Sequence, residues 1–190
     1  MKIRKIAVFA SGSGTNAQNI FEYFLDNKLV VIDSLWSNNP EAFALARAQK
    51  FGIETFVFNR EQLINTTFVV DELIKREIDL IVLAGFLWLI PPSLIEAFKI
   101  VNIHPALLPK YGGKGMYGMK VHQAVVENKE KETGITIHFV NEKYDDGAIV
   151  FQAKCEVSEK DSPEDVANKV HQLEYKYFPL IIEEVVNDIS

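Results

Sequence analysis

The chain has 190 residues, 48% of them hydrophobic and 24% charged, enough apolar content for one full core over 1–190 and too much for a disordered tail. Its net charge of −6, from 20 basic and 26 acidic side chains, disfavours nucleic acid as a partner, because neutralising phosphates takes a concentrated basic face. No apolar run reaches the ~20 residues of a membrane span, the start Met1-Lys2-Ile3-Arg4-Lys5 leads into a strand rather than a signal peptide, and one cysteine with four scattered histidines suits neither a disulfide nor structural zinc, so a cytoplasmic protein off the membrane is expected.

In chain order, 5–10 is a short apolar run that ends in Ser11-Gly12-Ser13-Gly14-Thr15-Asn16, and helical spacing follows over about 17–26. The unit recurs as strand 29–36 with helix 41–50, then strand 53–58 with helix 61–76. A continuous aliphatic strand over 79–84, a short helix over 92–98 and a strand over 99–103 come next. Continuous apolar strands imply burial on both faces, as helices covering a parallel sheet produce, so the class is α/β. From Pro105 to Gly118 the prolines and glycines predict a long loop. Helical spacing resumes over 119–128, and 133–140 alternates, with Ile135, Ile137 and Phe139 on one face. A last strand over 148–157 reads as part of an antiparallel addition to the sheet. Ser162-Pro163-Glu164-Asp165 starts a helix running toward Asn187, which Pro179 is expected to kink or split.

Three places carry chemistry. The loop Gly12 to Ala17 leaves backbone N–H groups near the positive end of a helix, where Gly14, Thr15 and Asn16 suit a phosphate; the structural alternative is a tight turn with Thr15 or Asn16 as a cap. Gly12-x-Gly14-x-x-Ala17 also fits the dinucleotide pattern, but its acidic partner Asp33 lies inside the second strand rather than at its end. Asn102 and His104, at i and i+2 on one face of a strand end, can offer an amide N–H to an oxyanion and move a proton near neutral pH; the alternative is a histidine that only satisfies a loop carbonyl. Asp145-Asp146-Gly147 reads as turn chemistry unless one carboxylate faces His104, where it would raise the imidazole pKa.

With these segments on the page, the chain resembles the folate-dependent formyltransferases, in their phosphoribosylglycinamide formyltransferase (glycinamide ribonucleotide transformylase) branch, over essentially its whole length. The residues that carry the likeness are Ser11 to Asn16, Leu83-Ala84-Gly85-Phe86, Asn102-Ile103-His104-Pro105-Ala106-Leu107-Leu108-Pro109, Gly134 to Val140 and Asp145-Asp146-Gly147. The resemblance implies a Rossmann-like, mixed but mostly parallel sheet with helices on both faces and antiparallel C-terminal strands. It implies the phosphoribosyl substrate in the half 1–100 and folate in the half 101–190. It assigns Asn102, His104 and Asp145 to formyl transfer from 10-formyltetrahydrofolate to the amine of phosphoribosylglycinamide in purine (IMP) synthesis. The same likeness puts Gly14, Thr15, Asn16 and Glu174 on the phosphoribosyl substrate, and Leu87, Trp88, Leu89, Ile90, Asn102, Val140, Tyr144 and Asp145 around the folate. Folate is then a cosubstrate; no metal and no permanently bound cofactor are implied, and a monomer or homodimer acting on small molecules is expected.

Departures accompany the match. Trp88 stands where many relatives carry arginine, the loop 110–118 is rich in glycine and suits a lid, Arg60 is a candidate for the folate glutamate tail, and His138 is a supporting residue or only the non-core face of its strand. Rival readings are a formyltetrahydrofolate hydrolase, expected to bring a further N-terminal domain, a methionyl-tRNA formyltransferase with a C-terminal RNA-binding domain, and a non-enzymatic dinucleotide-binding domain that binds NAD.

Overall fold

The computed structural model describes residues 2–189; Met1 of the amino-terminal segment and Ser190 lie outside it. The chain runs β1 (Arg4–Phe9), α1 (Thr15–Phe24), β2 (Val30–Ser37), α2 (Phe43–Lys50), β3 (Glu54–Val57), α3 (Arg60–Ile64) and α4 (Phe68–Lys75). It continues through β4 (Leu80–Leu83), α5 (Pro92–Ala97), β5 (Lys99–His104), α6 (Met119–Glu127), β6 (Glu132–Phe139), β7 (Ile149–Glu156) and α7 (Pro163–Asn187). The strands form one sheet in the order β3-β2-β1-β4-β5-β6-β7. Pairs among the first five strands are parallel, and the β5–β6 and β6–β7 pairs are antiparallel. The expected mixed α/β sheet is therefore the one observed.

Alternation along β1 sets the two layers. Ile6 and Val8 face a cluster closed by Ile20, Phe21 and Phe24 of α1, Ala44 and Ala48 of α2, Val125 of α6 and Val166, Val170 and Phe178 of α7. Ala7 and Phe9 face the other cluster, closed by Leu63 of α3, Val69 and Leu73 of α4 and Leu94 of α5. Burying each of these larger side chains contributes roughly 2 kcal/mol. Strand order reverses between β1 and β4, so the loops leaving those two strands flank a crevice where open α/β sheets take ligands.

Two local expectations change. The helix expected over 61–76 is two helices, because Thr66 Oγ1 donates to the Gln62 carbonyl at 2.9 Å and accepts from Phe68 N at 3.2 Å, so a side chain competes with the helical ladder. The last helix, capped by a reciprocal Ser162–Asp165 box, is not split. Pro179 has no N–H for the Tyr175 carbonyl, and Asn19 of α1 takes that carbonyl with its side-chain amide at 2.9 Å.

Candidate active site

The loop between β1 and α1 turns its carbonyls outward. Ser11 O accepts from Asn39 Nδ2 at 3.4 Å, Gly12 O from Ala44 N at 3.1 Å, and Ser13 O from Arg47 Nε at 2.8 Å. Gly14 is the N-cap of α1 at φ 72°, and no side chain caps the helix, so the alternative in which Thr15 or Asn16 caps does not hold. None of the backbone N–H groups of residues 12–17 finds an acceptor among the described residues. The result is a row of unspent donors at a helix N-terminus, a cradle for an anion. Glycine is required at 14 twice over: the backbone is left-handed there, and a Cβ would stand 2.5 Å from that of Ala44. Arg47, which composition and spacing did not single out, packs its guanidinium over Phe43 and holds both the Ser13 carbonyl and the Gln18 side chain.

The Asn16 amide Nδ2 donates to Glu174 Oε2 at 2.9 Å, so one of its two side-chain N–H groups is engaged with a carboxylate, and the other remains beside the backbone N–H. Glu174 is not the solvated helix residue its sequence context suggests; it is 3% exposed, and its Oε2 also lies 2.9 Å from His171 Nδ1. That hydrogen bond raises the His171 pKa above its ordinary value against the opposing effect of burial.

At the other end of the crevice, antiparallel pairing sets Asn102 opposite His138 and His104 opposite Thr136. Asn102 Nδ2 lies 3.1 Å from His138 Nε2, while His138 Nδ1 lies 2.9 Å from the Phe139 carbonyl. A carbonyl only accepts, so His138 Nδ1 is the donor to Phe139 and Nε2 faces the Asn102 amide as its acceptor. One Asn102 N–H is left over. The chain after β6 doubles back so tightly that a Cβ on Gly147 would sit 1.6 Å from Phe139 O, and this return brings Asp145 inward at φ 54°. Asp145 Oδ2 is 3.4 Å from His104 Nδ1 and accepts from Gly113 N at 2.9 Å; Asp145 Oδ1 is 3.7 Å from His138 Nε2. Asp146 is the solvent-facing member of the pair, 3.7 Å from Lys143.

His104 is 3% exposed, and its Nε2 donates to the Tyr111 carbonyl at 2.8 Å. The expected rise in its pKa is not what results. Burial pushes the imidazole down, and although Asp145 and the Tyr111 carbonyl pull it up, the net direction is below the ordinary value. Burial also opposes ionisation of Asp145, but contact with His138, the His104 ring and the Gly113 N–H outweigh it, and its pKa falls. The resting pair is therefore a neutral imidazole beside a carboxylate.

Both ends open into one cavity of about 610 Å³. Its walls include Gly14, Thr15, Asn16 and Glu174; Asn102, His104 and Asp145; and Leu87, Trp88, Leu89, Ile90, Val140 and Tyr144. Leu87 and Leu89 are 48% and 40% exposed, so this stretch is an apolar wall rather than plain core. Trp88 is braced edge-on by Phe58 and Phe86, each at 6.4 Å between ring centroids. Residues 113–118 of the glycine-rich loop form another wall. Arg60, at the start of α3, is not in the lining, whereas His122 and His171, which no motif or spacing marks out, are. Asp33, the acid required by the dinucleotide pattern, is spent on Arg76 Nε at 2.6 Å and does not line the cavity. Among the described residues no group of three or more acidic, histidine or cysteine side chains is placed to hold a metal, and no helix is long and apolar enough to cross a membrane.

Comparison with known proteins adds identity to this geometry. The formyl transferase family model matches residues 4–182. The chain is 41% identical over 189 residues to a chloroplastic phosphoribosylglycinamide formyltransferase of Arabidopsis thaliana, covering 94% of this chain and 64% of that protein. It is 39% identical over 188 residues to the phosphoribosylglycinamide formyltransferase of Haemophilus influenzae, covering 95% and 86%. The fold superposes on glycinamide ribonucleotide transformylase 1 from Geobacillus kaustophilus with a TM-score of 0.86 at 31% identity, over 97% of this chain and 99% of that one. The corresponding enzyme from Symbiobacterium toebii gives a TM-score of 0.88 at 28% identity, over 97% and 88%.

Proposed function

The chain belongs to the formyl transferase family, and from that premise we propose that it transfers the formyl group of 10-formyltetrahydrofolate to the primary amine of phosphoribosylglycinamide, a step of purine (IMP) synthesis. One observation carries the reading: a single cavity is bounded at one end by uncapped backbone donors and at the other by Asn102, His104 and Asp145. A phosphorylated amine held at the first end presents its nitrogen to a formyl carbon at the second.

The backbone N–H groups of Gly14, Thr15 and Asn16 grip the phosphate, and Glu174 takes donors on the sugar or the amine. The apolar wall of Leu87 to Ile90, with Val140 and Tyr144 opposite, receives the folate, and Trp88 offers it a ring face. The amine attacks the formyl carbon, and the uncommitted Asn102 N–H stabilises the oxyanion that forms. His104, neutral at rest, accepts the proton the amine sheds; the resulting imidazolium lies against Asp145 and supports the oxyanion before passing the proton to the departing folate nitrogen. For the ring to take that proton, its own proton passes from Nε2, where it bonds the Tyr111 carbonyl, to Nδ1 facing Asp145 Oδ2, and Nε2 leaves the carbonyl with its lone pair free for the substrate. In this reading the phosphoribosyl half 1–100 and the folate half 101–190 face one cavity, with Leu87 to Ile90 lent to the folate side and Glu174 to the sugar side. A monomer or homodimer belongs to the same reading. Cys155, unpaired and half-buried, suits the cytoplasmic setting that belongs to this reading.

The test follows tetrahydrofolate release from 10-formyltetrahydrofolate with and without phosphoribosylglycinamide. Release that depends on the ribonucleotide is expected. Release in its absence marks a hydrolase, and no release in either arm removes the reading.

A further inference from the structure

Behind the β1–α1 loop stands a cation to which the proposed reaction gives no part. Arg47 lies on α2, half-buried, with its guanidinium 4.9 Å from the centre of the Phe43 ring one turn earlier. Its Nε donates to the Ser13 carbonyl at 2.8 Å and its Nη1 to the Gln18 side-chain oxygen, and Gln18 in turn donates to Glu22 at 2.7 Å. Among the described residues Arg47 pairs with no carboxylate directly. A basic residue in the last turn of a helix is ordinary, because it meets the negative end of the dipole. That accounts for a charge on α2 but not for a guanidinium turned onto the carbonyl of another loop.

Peptide geometry gives that contact a consequence. A peptide unit is planar and trans, so a carbonyl and the N–H that follows it point in opposite directions. Holding the carbonyls of Ser11, Gly12 and Ser13 from outside therefore aims the N–H groups of Gly12, Ser13 and Gly14 toward the cavity those residues line. The three holders are unequal. Asn39 reaches its carbonyl at 3.4 Å and Ala44 offers a neutral backbone N–H at 3.1 Å, whereas Arg47 is charged and closest. A charged donor on the Ser13 carbonyl also polarises that peptide and strengthens the Gly14 N–H as a donor. Gly14 has no side chain to fix its own left-handed backbone, so the orientation of this peptide is set from outside. Arg47 does not line the main cavity; it acts on what enters there through the loop alone.

We propose that Arg47 is a positioning residue for the phosphorylated substrate: from behind the loop it orients and polarises the Ser13–Gly14 peptide, and so sets the affinity of the cradle for a phosphate it does not touch. The inference rests on the proposed function, in which that phosphate occupies the cradle. Gln18, one turn into α1, fixes the guanidinium against the helix whose N-terminus completes the cradle, so loop and helix keep one relative position. The competing role is that of a fastener between α1 and α2, which would serve stability and leave phosphate affinity alone.

Wild type, Arg47→Met and Arg47→Lys are compared in steady-state kinetics and in thermal melts titrated with inorganic phosphate, which reads the cradle without any turnover. Arg47→Met keeps an apolar stem over Phe43 and loses every donor. It is expected to raise the KM for phosphoribosylglycinamide about tenfold, and to raise about equally the phosphate concentration that gives half the melting shift, with kcat and the KM for 10-formyltetrahydrofolate unchanged. Arg47→Lys keeps the charge and one donor and is expected to lose only about threefold in the same two quantities. If the methionine variant does not fold, the lysine variant decides, and wild-type values in it overturn the proposal. A methionine variant that melts earlier but keeps the wild-type response to phosphate, or in which the KM values of both substrates rise together, makes Arg47 a fastener and overturns the proposal while leaving the functional reading intact. A wild type that phosphate stabilises but that does not turn over the phosphoribosyl amine strikes the functional reading instead, and the phosphate melts still decide the part played by Arg47.

Discussion

The two ends of the cavity are built on opposite principles. In the proposed reaction the working groups at the β1–α1 end are backbone N–H donors, and the Ala44 backbone N–H with the Asn39 and Arg47 side chains holds the loop from behind. At the β5–β6 end the working groups are side chains from three separate stretches, drawn together by antiparallel pairing and by the return of the chain at Gly147. The first end depends on backbone shape and tolerates changes of side chain that preserve it. The second depends on side-chain identity, and its backbone matters through where it sets Asp145. The proposed reaction therefore makes affinity for the phosphate and the chemistry of transfer separable by mutation.

The largest effects belong to the side-chain end. His104→Ala, Asn102→Ala and Asp145→Ala are each expected to lower kcat by at least about a hundredfold with little change in the KM for the phosphoribosyl amine, in a rate assay paired with thermal melts that show a retained fold. Near-normal rates in all three would break the contrast. Gly14→Ala sharpens it from the other side. Its strained φ and its 2.5 Å approach to Ala44 should cost about 2 kcal/mol of stability and raise the KM for the phosphorylated substrate roughly tenfold, with kcat much less affected. If kcat falls as far as it does for His104→Ala, the two ends are not separable.

A smaller effect is expected in pH dependence. The His104 pKa lies below its ordinary value of 6.5, so the acid limb of kcat/KM should fall at a pH lower than 6.5, since the neutral ring takes the proton. The sign for stability is the same. A folded pKa below the unfolded one makes acidification favour the unfolded chain, so this contribution is full above about 6.5 and is lost as pH falls toward the lowered value. An acid limb above 6.5 that vanishes in His104→Ala would show a ring protonated at rest. The smallest effect belongs to Asp33→Asn. Loss of its partly exposed pair with Arg76 should cost at most about 1 kcal/mol in chemical denaturation and leave both KM values alone. A changed ligand affinity there would revive the dinucleotide reading.

Sequence reading follows this same division. The α/β order, the glycine loop and the Asn102–His104 spacing are legible because each rests on local periodicity or on an i, i+2 relation within one strand. The break between α3 and α4 escapes because a single threonine side chain decides it, and Pro179 misleads because the group that repairs the lost hydrogen bond, Asn19, lies 156 residues away in sequence. The direction of the His104 pKa depends on depth of burial outweighing a neighbouring charge, which no spacing reveals. Asn16 and Glu174 are both legible by resemblance, but their bond to each other is not.

A crystal structure with a bisubstrate analogue, in which the phosphoribosyl amine is joined through one carbon to a folate, measures the convergence of the two ends directly. The proposed reaction predicts the phosphate on the backbone of residues 12–16 and the linking carbon's oxygen within about 3 Å of the Asn102 amide and the His104 ring. A phosphate bound elsewhere, or a linking carbon lodged away from both side chains, would contradict it.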